Sequence, residues 1–331
     1  MRLVPIDPIT PDAAIIGDAA RLLRAGGLVA FPTETVYGLG ANALDPVAVD
    51  RIYAAKGRPA YNPLIVHIAT RERALDVVSE WTPLAEELAR VFWPGPLTMV
   101  LPKKDTVPNS VTAGLSSVAV RVPAHAVARA LLAACGVPVA APSANRSMML
   151  SPTTGAHVAK SLGDGVDLIL DAGPTSVGIE STVIDLTTPT PTLLRPGMIP
   201  VSALEAVAGA IGTAPTLAGT AARPSPGMTD RHYAPRARLV LVATHEMESA
   251  IERERDHGQR VGALVRHSPG SSRRDVRYSR MASDAAGFAT QLFAALHALD
   301  DAGCDVVIAE RVPDTPEWLG VRDRLDRASR R

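Results

Sequence analysis

Apolar residues along this chain fall into two rhythms, and the change from one to the other marks out its elements. Ala14, Ile15, Ala19, Leu22 and Leu23 recur at helical spacing, which predicts a helix over 12–25 that stops at Gly26-Gly27. Leu28 to Phe31 is a short, unbroken apolar run of the kind a buried strand writes; Pro32 ends it, and a polar Thr/Glu/Thr/Tyr loop follows. Asp45-Pro46 has the N-cap and first-turn order of a helix start, with Val49, Ile52 and Tyr53 on one face. Leu64 to Ile68 reads as a second strand. Two helices are predicted within 71–92, strands over Leu97–Leu101 and Ser117–Val122, and a helix over Ala124–Cys135 that leads to a strand over Val137–Ala141. A helix over Thr153–Leu162, strands over Asp167–Asp171, Ser181–Leu186 and Thr192–Arg195, and a helix over Ser202–Ile211 close a first domain.

From Gly212 to Arg238 the text turns to Gly, Pro, Ala and Thr, a linker composition, although His232-Tyr233-Ala234-Pro235 is too specific for a spacer. Beyond it, strands over Leu239–Ala243, Val261–Val265 and Val306–Ala309 alternate with helices near 246–256 and 284–302. That alternation predicts a small α/β domain with mostly parallel pairing. The chain thus divides into 1–211, a linker over 212–238, and 239–331, as a length of 331 residues leads one to expect.

Composition narrows the function. Apolar residues make up 47% and aromatics 4%, so the core is built mostly from Ala, Val and Leu. Thirty-four basic against 34 acidic residues argue against a broad nucleic-acid footprint, so a polyanion site must be local. Cys135 and Cys304 lack metal or redox spacing and read as reduced, buried thiols. Prolines and aspartates near the N-terminus oppose a secretory signal, and no apolar run approaches the roughly 18 residues of a membrane span, so a soluble cytoplasmic protein is expected.

The candidate chemistry starts at Lys56 and Arg58. The 34 basic residues include only four lysines, so Lys beside Arg is unusual for this chain. No Asp or Glu occurs between Asp50 and Glu72, which leaves the pair free to bind an anion: a compact ammonium and a planar fork suit a polyphosphate. The other reading is a solvated helix end, where cations favour the carbonyl dipole. Arg121, inside a strand pattern, either faces solvent or meets an anion such as a carboxylate. His67 near a strand end is either structural or catalytic. Ser143 and Asn145 follow a buried strand directly, where open α/β sheets place ligand contacts, although polar strand ends are also ordinary turn chemistry. Gly38-Leu-Gly40-Ala-Asn-Ala43 fits a dinucleotide fingerprint in form, but the acidic residue some twenty positions on is missing, so a nicotinamide site is rejected. The sequence also has no P-loop, HExxH or GxSxG.

Taken in order, PTETVYGLG, KGRPAYNPL, SVAVRVP, APSAN, STVIDL and LLRPG resemble the threonylcarbamoyl-AMP synthase family from about residue 12 to 210. SPGMTDRHYAP and the α/β segment after it resemble that family's long, two-domain form. The resemblance implies a YrdC-like twisted mixed sheet with helices around a central cavity, and a smaller Rossmann-like C-terminal domain. The reaction it implies joins L-threonine, bicarbonate and ATP into threonylcarbamoyl-AMP and pyrophosphate, for tRNA threonylcarbamoyladenosine. Partner proteins would pass the product to tRNA; stable direct tRNA binding is not expected. Mg2+ would come with ATP, and the protein need supply few or no metal ligands.

Carried onto this chain, Lys56, Arg58, Ser143 and Asn145 resemble the catalytic anion group. Thr35, His67, Arg121, Ala141 and Ser181 resemble the threonine-binding positions. Asn62, Ser117, Ser151 and Arg195, together with Arg58 and Ser143, resemble the ATP contacts, and Tyr233 resembles a linker residue that folds over the nucleotide as a lid. Two stretches depart from the family pattern: Arg146-Ser147-Met148-Met149 replaces a common Ser-Gly, and Thr229-Asp230 stands where Lys is frequent. Two other readings stay on the table. One is a non-catalytic RNA-binding or regulatory module with a cationic hollow, which neutral charge disfavours; the other is a carbamoyl transferase using carbamoyl phosphate, whose relatives carry zinc-finger and acylphosphatase-like parts that this chain lacks.

Overall fold

A computed structural model describes residues 1–213, 233–266 and 273–330. Helix Ala13–Arg24 is capped by Asp12, whose carboxylate accepts from the Ala14 and Ile15 amides, and it buries Ile16, Ala19, Ala20 and Leu23. Strand Val29–Pro32 follows, buried at every position. The loop expected after it is only four residues long: Thr33 Oγ1 accepts from the amides of Thr35 and Val36, and the chain turns back as an antiparallel strand, Tyr37–Asn42, with Pro32 opposite Tyr37. That strand was not predicted, because its two glycines lower strand propensity. Packing requires one of them, since a Cβ on Gly40 would lie 2.9 Å from both the Phe31 ring and a Val139 methyl.

The first domain's strands form one mixed sheet. Its spatial order is Arg2–Pro5, Leu168–Asp171, Val29–Pro32, Tyr37–Asn42, Val139–Ala140, Ile65–His67, Ser117–Arg121, Leu97–Pro102, Thr182–Asp185, Thr192–Arg195 and Gly212–Thr213. Helices cover both faces, over separate cores built on Val49, Ile52, Val66 and Val120 on one side and Ile16, Leu131, Val29 and Val139 on the other. The predicted strand over Val137–Ala141 shortens to two residues, and its remainder bends into the Pro142–Asn145 loop. The helix predicted over Ser202–Ile211 is Val201–Ala208.

Four parallel strands make the second sheet, in the order Arg238–Val242, Val306–Glu310, Val261–Val265, Arg277–Arg280. Helix Ala285–Asp301, capped by Asp284, and the unpredicted helix Leu319–Ser329 lie between this sheet and the first domain. Along Leu319–Ser329 charged residues outnumber apolar ones, so its sequence reads as surface; Val321, Arg324, Leu325 and Ala328 are nonetheless buried in the seam. One apolar cluster joins Val36, Leu150 and Ile179 of the first domain to Tyr233, Phe288, Leu292 and Trp318. Thr229 and Asp230, with the motif through His232, lie outside the described residues. No described helix is long and apolar enough to cross a membrane.

Candidate active site

A cavity of about 40 Å3 opens where the Thr33–Val36 turn, the ends of strands Ile65–His67 and Ser117–Arg121, the Ala141–Ser143 loop and the Glu180-Ser181 segment converge. Thr35, Arg58, His67, Arg121, Ala141, Ser143, Ser181, Arg195 and Tyr233 all line it.

Arg121 ends its strand opposite His67, and only 3% of its surface is exposed. Its Nε donates to the Gly95 carbonyl at 3.1 Å, Nη1 to Thr35 Oγ1 at 2.9 Å, and Nη2 to Glu34 Oε1 at 2.7 Å. The open choice at Arg121 is therefore decided: it meets a carboxylate in the interior. A guanidinium has five N–H groups, so a second carboxylate in the cavity can still be gripped. The His67 ring stands edge-on to Phe31, and its Nδ1 has no hydrogen-bond partner. Burial first, and then Arg121, push the imidazole down to about 3, so it stays neutral near pH 7 and offers a lone pair. Ser181 Oγ sits 2.8 Å from Thr98 Oγ1 and accepts from Arg195 Nη2 at 3.0 Å.

Arg58 and Arg195 are further cations in the cavity lining. Helix Pro46–Lys56 ends at Gly57, whose φ of 58° turns the chain so that Arg58 points inward. Arg58 donates to the carbonyls of Asn62 and Pro63 at 3.0 and 2.9 Å, and burial pulls its guanidinium down to about 10. Lys56 is not in the wall. It lies behind it, 2% exposed, and its ammonium donates to the carbonyls of Ser143 and Asn145. Burial, then Arg58, hold that ammonium well below the usual lysine range. The solvated-helix-end reading fails on this burial. The absence of acids nearby in sequence did not leave the pair without partners either, because main-chain carbonyls supply them.

Asn145, Asn62, Ser117 and Ser151 are not among the lining residues. Asn145 Nδ2 ties its own loop by donating to the carbonyls of Arg146 and Met149. Asn62 serves Arg58 and Tyr53 through its carbonyl. Ser117 starts the strand that Arg121 ends. Ser151 Oγ donates to Glu180 Oε1, one layer behind the wall. Tyr233 is 1% exposed at φ 59°, beside Arg195, with its residue neighbour Ala234 donating to the Met148 carbonyl. The departing Arg146–Met149 stretch is thus the seat of the linker's end. Three residues escaped the sequence reading: Glu34, Glu180 and Arg324. The two glutamates adjoin Thr35 and Ser181, which was a usable signal; Arg324 had none.

Residues 21–197 match the family described as "Telomere recombination" (Sua5, YciO, YrdC), and 199–330 match "Threonylcarbamoyl-AMP synthase, C-terminal domain". A threonylcarbamoyl-AMP synthase of Pyrococcus abyssi is 46% identical over 319 residues, covering 94% of this chain and 93% of that one. One of Bacillus subtilis is 42% identical over 333 residues, covering 98% and 95%. The crystal structure of P. abyssi Sua5 complexed with L-threonine superposes with a TM-score of 0.94 at 43% identity, over 99% of this chain and 98% of that one. With both family matches falling on one chain and full-length relatives above 40% identity, this protein belongs to the threonylcarbamoyl-AMP synthase family, in its long, two-domain form.

Proposed function

We propose that this chain is an L-threonylcarbamoyladenylate synthase, forming threonylcarbamoyl-AMP and pyrophosphate from L-threonine, bicarbonate and ATP for tRNA modification. The observation that carries the reading is one cavity lined by both a carboxylate-binding pair, Arg121 with Thr35, and the buried cations Arg58 and Arg195, with Lys56 behind.

In the proposed reaction the threonine carboxylate takes the remaining N–H groups of Arg121, which fixes the α-amine near His67 and Ser181. The amine, having lost its first proton to solvent, condenses with bicarbonate: the N–C bond forms, a bicarbonate C–O bond breaks, and that oxygen leaves as water with a second amine proton, giving a carbamate. A carbamate oxygen then attacks the α-phosphorus of ATP, and the bond to the β,γ-pyrophosphate breaks. Arg58 and Arg195 stabilise charge on the phosphate oxygens in a dry site, where fixed cations act strongly. Lys56 acts by holding the Ser143–Asn145 loop in place, so Ser143 presents its hydroxyl to the anion. The neutral His67 accepts a hydrogen bond from threonine. The carboxylate in the cavity wall and the one behind it already engage arginines, Glu180 with Arg324 and Glu34 with Arg121. This donor set suits Mg2+ arriving on the phosphate oxygens of ATP as part of the substrate.

Pyrophosphate release tests the reading. It is expected only when threonine, bicarbonate and ATP are all present; release absent under all conditions would favour the RNA-binding module.

A further inference from the structure

The second domain places one side chain directly behind the wall of the cavity. Helix Leu319–Ser329 approaches the first domain so closely that a Cβ on Gly320 would stand 2.4 Å from the Gly197 carbonyl oxygen. One turn further along, Arg324 is completely buried. Its Nε donates to Glu180 Oε2 at 2.6 Å and its Nη1 to the Pro196 carbonyl at 3.0 Å, while the guanidinium lies 4.9 Å from the centroid of the Tyr233 ring. Glu180 and Tyr233 both line the cavity.

We propose that Arg324 is a positioning residue for the reaction: it holds Glu180 and Tyr233 in the cavity wall, so the site is complete only with the C-terminal domain docked. This rests on the synthase reading and adds the second domain's part in it.

Two physical arguments support the assignment. First, burying an ion pair takes both charges out of water, and apolar residues of similar volume usually bind a seam at least as well. A helix that needed only to dock would be served by leucine. What arginine adds is geometry, since one planar group forks to a carboxylate, reaches a carbonyl and stacks on an aromatic face at once. Second, Glu180 faces the same cavity as Arg58 and Arg195, where a lone carboxylate would repel a triphosphate. Arg324 neutralises that carboxylate and fixes its position through Nε. The residue after Glu180 is Ser181, which accepts from Arg195, so a shift of this segment moves a cavity cation as well.

The test compares full-length wild type, Arg324→Met and Glu180→Gln/Arg324→Met. Each is assayed for threonine- and bicarbonate-dependent pyrophosphate release, for melting, and for nitration of Tyr233 by tetranitromethane, read by mass spectrometry. Arg324→Met is expected to lower kcat on the order of 10²-fold, the cost of about 1 Å of misplacement. Its threonine KM stays within about threefold, because Arg121 is untouched. Tyr233, protected in wild type, becomes nitrated. The double variant removes the stranded carboxylate and regains melting temperature, yet stays slow and nitrated; it carries the test if the single variant does not fold. Wild-type turnover in the double variant, or Tyr233 equally protected in all three proteins, overturns the proposal. Should wild type itself release no pyrophosphate, the synthase reading falls alone, and nitration still decides whether Arg324 positions Tyr233.

Discussion

Replacing Lys56 by Met separates holding the loop from binding the substrate. Methionine keeps the length of the stem and fills irregular space, but its sulfur cannot donate. The carbonyls of Ser143 and Asn145 then lose their ammonium partner in the interior. Hydrogen bonds to a charged group contribute about 1.5–3 kcal/mol each, so the gross loss is about 3–6 kcal/mol. Relief from burying a cation beside Arg58 offsets part of this, and a net loss of about 2–4 kcal/mol is expected. A domain of this size melts roughly 2–4 °C lower for each kcal/mol. The catalytic effect comes through Ser143, which lines the cavity and belongs to the released loop. Misplacement by about 1 Å would cost on the order of 10²-fold in rate, or about 2.7 kcal/mol of barrier. Pyrophosphate release at saturating substrates gives the rate, and calorimetry gives the threonine Kd. The Kd should stay within about threefold, because Arg121, Thr35 and His67 are untouched. A variant that melts several degrees lower but turns over within about twofold of wild type would refute the link between this ammonium and catalysis.

Three further outcomes are expected. Arg121→Lys loses the fork that spans Glu34, Thr35 and Gly95, and threonine affinity should fall about 10- to 100-fold by calorimetry, the value of a bidentate contact; unchanged affinity would remove Arg121 from the clamp. His67 and His297 both titrate near 3 when folded against 6.5 unfolded, so between those pH values the unfolded chain binds more protons and stability falls as pH falls, with a plateau above 6.5. At pH 5 each of these two histidines costs on the order of 2 kcal/mol, from 1.5 pH steps at 1.36 kcal/mol each; urea midpoints at pH 7.5 and 5 should show the loss, His297→Gln should lessen it, and equal midpoints would count against it. Gly320→Ala pushes a methyl into the Gly197 carbonyl and should lower the melting temperature through about 1–3 kcal/mol of overpacking; unchanged melting would mean that the helix and the loop at Gly197 part without cost.

Much of the molecule was written locally. Asp45 caps the helix it was expected to cap, the helix expected over 12–25 forms behind Asp12, and the apolar runs at Leu28 and Leu64 are strands. These features depend on neighbours within a few residues, which a one-dimensional reading sees. The strand Tyr37–Asn42 did not, because Gly40 is there for a ring and a methyl from distant strands. Thr35, His67, Arg121, Ala141 and Ser181 do share one cavity, and their gathering there follows from strand order, not from spacing.

By itself the sequence determined most of the elements, the two-part organisation and the residue types able to grip a carboxylate and a polyphosphate, since caps, periodicity and side-chain chemistry act at short range. Only the tertiary structure decided which groups those residues meet: carbonyls for Lys56, Glu34 for Arg121, and, across the seam, Arg324 for Glu180. Burial is the reason. Once water is excluded, a charge must take whatever partner the packed chain brings within reach, and that partner can lie 144 residues away.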